Sequence, residues 1–148
     1  MSDSVDAPGA LSPEDRDEML GVGGIGVLAF ARGYDVPPYA VPVSYGYDAE
    51  TTTFYFRLAV DSDSEKAPLD DRPVTFVVHA QNDVWQSVVA QGRLEPTDDD
   101  DVGTDVLAGL RRTHIPLVDI FGQEPRHVPF EFYRLSPMRM TARTETSP

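Results

Sequence analysis

The chain has 148 residues, of which 41% are hydrophobic, and its formal net charge at pH 7 is -13. This length and apolar content fit one globular domain with its own core and exclude a disordered chain. An acidic chain lacks the basic surface that neutralises nucleic-acid phosphates, so we expect no nucleic-acid partner. There is no cysteine, which excludes disulfides, thiolate metal sites and a cysteine nucleophile.

The charged residues are unusual in kind as well as in number. Lys66 is the only lysine, and aspartate outnumbers glutamate about two to one. An acidic, lysine-poor surface suits solubility in concentrated salt, where self-repulsion is screened, so we predict a halophilic protein. No apolar run approaches the roughly 18 residues of a membrane helix, and the first residues lack a signal-peptide pattern. We therefore expect a cytoplasmic protein without membrane contact.

We expect a single domain over residues 1–148, with its core at about 12–142 and loose tails at 1–11 and 143–148. The first element is a short helix, "SPEDRDEML". Ser12 can cap its N-terminus and Pro13 fits its first turn.

Strand patterns follow in series, and most are joined as hairpins. Pro42 lies inside the second strand and predicts an edge or a bulge there. Short helices are expected around 65–71 and 100–112. The series favours an antiparallel β-barrel with short flanking helices over a doubly wound parallel sheet. The predicted strands cover 25–30, 39–47, 54–59, 74–80, 84–96 and 130–143, the last interrupted near Pro137. The first of them, "IGVLAF", is an apolar run of the buried type.

The loop "DSDSEKAPL" places Ser62, Ser64 and Lys66 just beyond Arg57. A phosphate group requires cations and hydroxyl or backbone N–H donors within a few ångströms, and this stretch offers both. In the alternative interpretation, Lys66 only pairs with a neighbouring surface carboxylate, which would be worth about 0–1 kcal/mol.

The order of these segments resembles that of a known family. "VPVSYGYD", "FYFRLA", the Ser-x-Lys of the loop, an apolar strand and "WQSVVAQGRLE" follow one another as in the pyridoxamine 5′-phosphate oxidase-like FMN-binding split-barrel family. The resemblance covers roughly residues 12–142. It implies a mainly β, antiparallel split β-barrel and a homodimer with FMN in a groove between the subunits. It also implies flavin-dependent oxidation or reduction of a small organic substrate.

The resemblance also implies which residues contact the cofactor. Two strand segments would lie along the flavin ring, the Ser-x-Lys pair would anchor its phosphate, and two residues near "WQS" would complete the site. These implied cofactor-binding residues are Pro42, Val43, Ser44, Phe56, Arg57, Leu58, Ser64, Lys66, Trp85 and Ser87.

Several positions depart from the family pattern. Ala40 and Tyr45 stand where the true oxidases carry basic residues, and Glu65 replaces a second cation beside Lys66. The histidine-and-arginine motif that holds pyridoxal phosphate is not recognisable, so we do not expect vitamin B6 synthesis. No catalytic residue is assigned, and Tyr45 and Arg57 are the nearest candidates for an acid or base.

Three alternatives remain open at this point. The cofactor could be a deazaflavin, the protein could store or sense FMN without catalysis, or the barrel could be a cofactor-free dimer. A metal site is not expected, because His79, His114 and His127 lack metal-ligand spacing.

Overall fold

The computed structural model describes residues 9–59, 69–98 and 130–145. These ranges hold one helix and seven strands. In chain order they are α1 (Pro13–Leu20), β1 (Gly23–Phe30), β2 (Tyr39–Asp48), β3 (Thr53–Ala59), β4 (Pro73–Asn82), β5 (Val84–Thr97), β6 (Phe130–Leu135) and β7 (Arg139–Thr144).

The helix α1 begins and ends as the sequence predicts. The Ser12 side chain accepts a hydrogen bond from the Asp15 N–H at 3.1 Å, and Pro13 occupies the first turn. Leu20 is buried at its end, and Gly21 follows as the C-cap. The helix therefore places Leu20 in the core directly before the first strand starts, and Met19 packs against the same cluster.

Six strands close into an antiparallel barrel. The strand order is β4-β1-β2-β3-β6-β5, and the additional β4–β5 pairing closes the ring. The seventh strand, β7, pairs with the first half of β5, whereas β6 pairs with its last residues. The predicted fold, an antiparallel split β-barrel, is confirmed.

The predicted interruption near Pro137 is also confirmed, since it separates β6 from β7. Pro42 likewise lies at a local edge. Its stretch of β2 pairs with β1 through Val27, while the pairing of β2 with β3 begins only at Tyr45. A proline lacks an N–H to donate, so this is a position where it costs no ladder hydrogen bond.

The core fills the barrel with aromatic rings. Phe76 lies at the centre of this cluster and is fully buried. Its ring centroid is 5.3 Å from Tyr45, 5.3 Å from Phe54 and 4.8 Å from Phe56, all at edge-to-face angles. Gly26 makes room for this ring, because a Cβ built there would lie 2.5 Å from Phe76 Cζ.

The expected loose tails are partly ordered, and the boundaries need correction. Leu11 N–H donates to the Ala142 carbonyl at 2.9 Å, and Thr144 N–H donates to the Gly9 carbonyl at 2.7 Å. Glu145 N–H donates to the Trp85 carbonyl at 2.9 Å. Residues 9–11 thus extend the sheet beside β7, because the exposed edge of that strand supplies unpaired backbone groups.

The expected helices at 65–71 and 100–112 lie largely or wholly outside the described residues; the described part of the first, from Leu69, is not helical. Among the elements that are described, no helix combines the length and apolar character needed to cross a membrane.

Candidate functional site

The predicted flavin-contacting segments of β2 and β3 alternate between the two sides of the barrel wall. Val43, Phe56 and Leu58 are 6%, 0% and 7% exposed and belong to the core. Pro42 is exposed and Ser44 is partly exposed. A ligand outside the barrel can therefore meet the first three residues only through their backbone, and the side chains of the other two directly.

Arg57 lies between the two buried residues of β3 and is partly buried. It stands opposite Phe132 of β6 in the strand register. Because neighbouring side chains alternate along a strand, its guanidinium is on the outer side. A cation at this place lies only a few residues before the Ser-x-Lys loop, whose Ser64 and Lys66 fall outside the described residues.

The second predicted group lies at the beginning of β5. Trp85 is 46% exposed, and its ring centroid is 5.7 Å from that of His79 on β4. Ser87 is partly exposed and pairs in register with His79. The structure thus adds His79, which was not predicted as a site residue, to the neighbourhood of Trp85 and Ser87. His79 could have been predicted to face outward, because it alternates with the buried residues of β4.

The two groups lie on opposite sides of the barrel. Around the closed ring, β2 and β5 are three strands apart in either direction. Outward side chains on opposite sides of a closed barrel diverge. The structure therefore does not bring Pro42 and Ser44 together with Trp85 and Ser87 within one chain.

An apolar stripe crosses the outer wall between these groups. Val27 of β1 pairs with Pro42 on one side and with Val77 on the other, and Val77 pairs with Val89 of β5. The three valines are only partly buried. Ile25, on the same side of β1, is 52% exposed, although "IGVLAF" was predicted to be a buried strand. Its exposure shows that β1 has a covered and an open face.

Tyr45 is not a candidate acid or base, and the structure corrects this hypothesis. Its side chain is inside the barrel at 2% exposure, and its hydroxyl donates to the Leu20 carbonyl at 3.0 Å. Burial raises the pKa of Tyr45 to about 12 because the phenolate would lose its hydration. The residue is a structural link between α1 and the core.

Tyr47, the next inward residue of β2, also contacts the helix. Its hydroxyl donates to Asp17 Oδ1 at 2.7 Å, and Asp17 also pairs with Arg16 at 3.0 Å. Burial, helped by the hydrogen bond to Asp17, raises the pKa of Tyr47 to about 12. Both tyrosines therefore fix the helix against the barrel.

The ranges 9–59, 69–98 and 130–145 contain no group of three histidine, aspartate or glutamate side chains that could hold a metal ion. Of the three histidines, His114 and His127 lie outside these ranges.

Comparison with solved structures finds proteins with the same fold. A FAD-binding protein from Mesorhizobium loti matches at a TM-score of 0.59 and 23% identity, over 93% of this chain and 97% of that chain. The FAD-binding protein from Mycobacterium smegmatis matches at 0.57 and 16%, over 93% and 99%. A FAD- and heme-binding protein from the same organism matches at 0.63 and 16%, over 95% and 75%.

No curated protein matches the sequence. The family model described as pyridoxamine 5′-phosphate oxidase matches residues 12–144, which is most of the chain. The order of segments around Lys66 and the closed split barrel agree with that match. This chain therefore belongs to the pyridoxamine 5′-phosphate oxidase family.

Proposed function

We propose that this protein is a homodimeric flavoprotein that binds FMN between its subunits and oxidises or reduces a small organic substrate. Family membership supports a flavin, as do the solved structures of this fold that are described as FAD-binding. The reaction of the true oxidases on pyridoxamine phosphate is not included in the proposal. Ala40 stands on β2 where those enzymes carry a basic residue, and Tyr45 is in the core.

The observation that carries the proposal is the position of the two predicted groups on opposite sides of the barrel. One site can use both groups only if β2 and β3 of one chain face β5 of another chain. A twofold dimer does this twice, because each interface patch meets its counterpart. Two equivalent sites per dimer then follow.

The residues present fit a flavin at such an interface. A flat aromatic ring binds best between apolar walls that carry a few polar groups. The outer stripe around Val27 and Pro42 is apolar, and Ser44 and Arg57 stand beside it on β2 and β3. Trp85 would supply an aromatic side chain from the other subunit, and it is already half exposed in the single chain.

Lys66 would bind the flavin phosphate in this proposal. A single ammonium group meeting a phosphate dianion forms charge-assisted hydrogen bonds, and Ser64 would add a hydroxyl donor. Hydride or electron transfer at the flavin N5 atom would be the chemistry that the cofactor supplies. The protein's own contribution would be orientation of the ring and exclusion of water.

The first experiment is the visible spectrum of the purified protein together with identification of the flavin released on unfolding. The proposal expects a yellow protein that releases FMN, with one flavin per chain. Release of FAD would show that the cofactor is FAD and not FMN. A colourless protein that stays colourless after incubation with FMN would overturn the proposal, and uptake of a deazaflavin alone would favour that alternative.

Substitution of the anchor tests the phosphate contact. We expect Lys66→Ala to weaken FMN binding at least about tenfold, as the loss of one charge-assisted contact implies. Arg32→Ala removes another positive charge, from an exposed residue of the β1–β2 loop, and should leave binding unchanged. Equal affinity of both variants would show that the phosphate is held elsewhere.

Catalysis is distinguished from storage by turnover. An enzyme would be reduced by NADH or NADPH and then reoxidised by a quinone or a nitro-compound in repeated cycles. A storage or sensing protein would keep its flavin oxidised under the same conditions.

That the protein is halophilic stays a prediction. A charge of -13 with one lysine is expected to favour folding in molar potassium chloride, because salt screens repulsion between carboxylates. Thermal unfolding measured across a salt series should show a rising midpoint. Cytoplasmic location is likewise expected and needs fractionation of the source cells.

A further inference from the structure

A cavity of about 670 Å³ opens on the outer surface near one end of the barrel. Of the residues predicted to bind flavin, none that the structure describes is among its lining residues, and Ser64 and Lys66 lie outside the described ranges. We call it the arginine trough and define it by six of its lining residues, Ala29, Thr75, Gln91, Arg93, Met138 and Arg139.

The floor of the arginine trough is a row across four strands. Ala29 of β1 pairs with Thr75 of β4, Thr75 pairs with Gln91 of β5, and Gln91 pairs with Arg139 of β7. Side chains in one such row stand on the same side of the sheet. The small residues at the β1 end leave a flat surface, and the large cation stands at the β7 end. The row is therefore apolar at one end and charged at the other.

The two arginines give the trough its chemistry. The Arg139 side chain is exposed, and its guanidinium makes no hydrogen bond or ion pair within the described ranges of the chain. Arg93 is oriented, since its Nη1 donates to the Asp71 carbonyl at 2.8 Å. The Asp71 carboxylate lies 3.8 Å from the same nitrogen and is 81% exposed, so it neutralises Arg93 only weakly. Two guanidinium groups with spare donors give this part of an acidic chain a local positive charge that suits an anion.

The remaining lining favours an organic anion over a simple inorganic one. The Met138 side chain is 79% exposed at the edge of the trough, and its backbone N–H is fixed by the Gln91 carbonyl at 2.8 Å. A thioether packs well against the face or edge of an aromatic ring. Prolines at positions 38 and 73 and the alanines add further apolar surface. The volume is within the range of about 300–1,000 Å³ that small-molecule sites occupy.

We propose that the arginine trough binds a flat aromatic carboxylate. The ring would lie over Ala29 and Thr75 beside Met138. The carboxylate would accept hydrogen bonds from Arg139 and Arg93, since the guanidinium fork matches the two oxygens of a carboxylate. The Gln91 amide, which makes only a long 3.4 Å hydrogen bond to the Thr75 hydroxyl, is the additional donor.

The test uses cinnamate as the probe, measured by calorimetric titration of the purified full-length protein at the lowest salt at which it stays folded. Cinnamyl alcohol has the same ring and chain without the charge, and acetate has the charge without the ring. We expect binding of cinnamate and at least about tenfold weaker binding of either partial analogue. Equal binding of the alcohol, or no binding of cinnamate at millimolar concentration, overturns the proposal.

Substitutions locate the bound probe. Arg139→Gln should weaken cinnamate at least about tenfold, because it removes the charge-assisted contact while keeping polar bulk. Met138→Ala should weaken it by a smaller factor, through lost ring contact. Arg143→Gln is the matched control, being an exposed arginine four residues further along the same side of β7, and should bind like the wild type. A similar loss of cinnamate affinity in Arg139→Gln and Arg143→Gln would show that only the overall charge of the protein matters. That result would overturn the proposed site.

The proposal does not depend on the flavin, and the titration keeps the two apart. It is run on protein with and without bound flavin. The arginine trough predicts the same affinity for cinnamate in both. Binding that requires the flavin would place the probe in the cofactor groove and overturn the assignment to the trough.

Discussion

The inner and outer surfaces of the barrel wall are built by the same strands and differ in almost every respect. On β4, the inward Phe76 is fully buried among aromatic rings. Its neighbour Val77 points outward and is only partly buried. The inner surface carries buried, mostly apolar side chains, whereas the outer surface keeps exposed apolar and cationic residues. The fold therefore depends on the inward face of each strand, and we expect the functional residues on the outward face.

The largest expected effect comes from opening the inner surface. Phe76→Ala removes the ring that contacts Tyr45, Phe54 and Phe56. Loss of a buried phenylalanine typically costs about 3–5 kcal/mol of the free energy of unfolding. Urea unfolding followed by circular dichroism measures the change. The matched variant Val77→Ala alters the adjacent outward residue and should cost less than about 1 kcal/mol. Equal losses in the free energy of unfolding would contradict the difference between the inner and outer faces.

Overpacking the same place gives a smaller effect. A Cβ at Gly26 would meet Phe76 Cζ at 2.5 Å and the Val77 carbonyl oxygen at 2.7 Å. The second contact is with backbone, so the strand itself must shift, and we expect Gly26→Ala to cost about 1–3 kcal/mol. In Gly24→Ala the nearest atoms belong to the Tyr45 side chain at 3.2 Å, which can adjust. Unfolding midpoints in urea should rank Gly26→Ala below Gly24→Ala, and the reverse order would contradict the packing described.

The next effect tests the attachment of α1. Tyr47→Phe removes the hydrogen bond to Asp17, which keeps its ion pair with Arg16. We expect a loss of about 1 kcal/mol in the free energy of unfolding. Tyr34→Phe makes the same chemical change at a residue that is 98% exposed and should change nothing measurable. An equal loss of unfolding free energy in both variants would contradict the stabilising role of the hydrogen bond between Tyr47 and Asp17.

The smallest expected effect is a change in the pH dependence of stability. The folded pKa of Tyr47 is raised to about 12 from the ordinary 10.0. The folded state therefore holds the proton more tightly, and this contribution is fully present below pH 10 and is lost as pH rises towards 12. Tyr47→Phe should show a shallower alkaline decline in denaturant midpoint than the wild type. An unchanged slope would mean that the tyrosine titrates alike in both states.

Much of the barrel could be predicted because its strands carry the alternation and turn residues that local physics requires. The helix cap at Ser12 and the hairpins follow from short-range chemistry, and Pro42 indicated an edge. Ile25 was misjudged because a run such as "IGVLAF" does not reveal which face the rest of the sheet will cover. The ordered residues 9–11 were missed since their partner β7 is distant in the sequence.

The functional surfaces were harder to predict than the core. Tyr45 was considered as an acid or base because a polar residue at an alternating position can point either way until the core is known. Arg93 and Arg139 are 46 positions apart in the sequence. They line one cavity because β5 pairs with β7, and the pairing of β4 with β5 brings in the rest of its floor. No local pattern marks such a meeting.

Subunit complementation tests the central proposal, a flavin site shared by two chains, most directly. Lys66→Ala damages the β3 side of the site and Ser87→Trp damages the β5 side. The two chains, carrying different affinity tags, are produced together, and the dimer that holds both tags is isolated. If the site is shared, this mixed dimer has one site with both intact halves and binds one flavin, although each variant alone binds little. A mixed dimer as poor in flavin as the two parents, or failure to recover any dimer with both tags, would contradict the account.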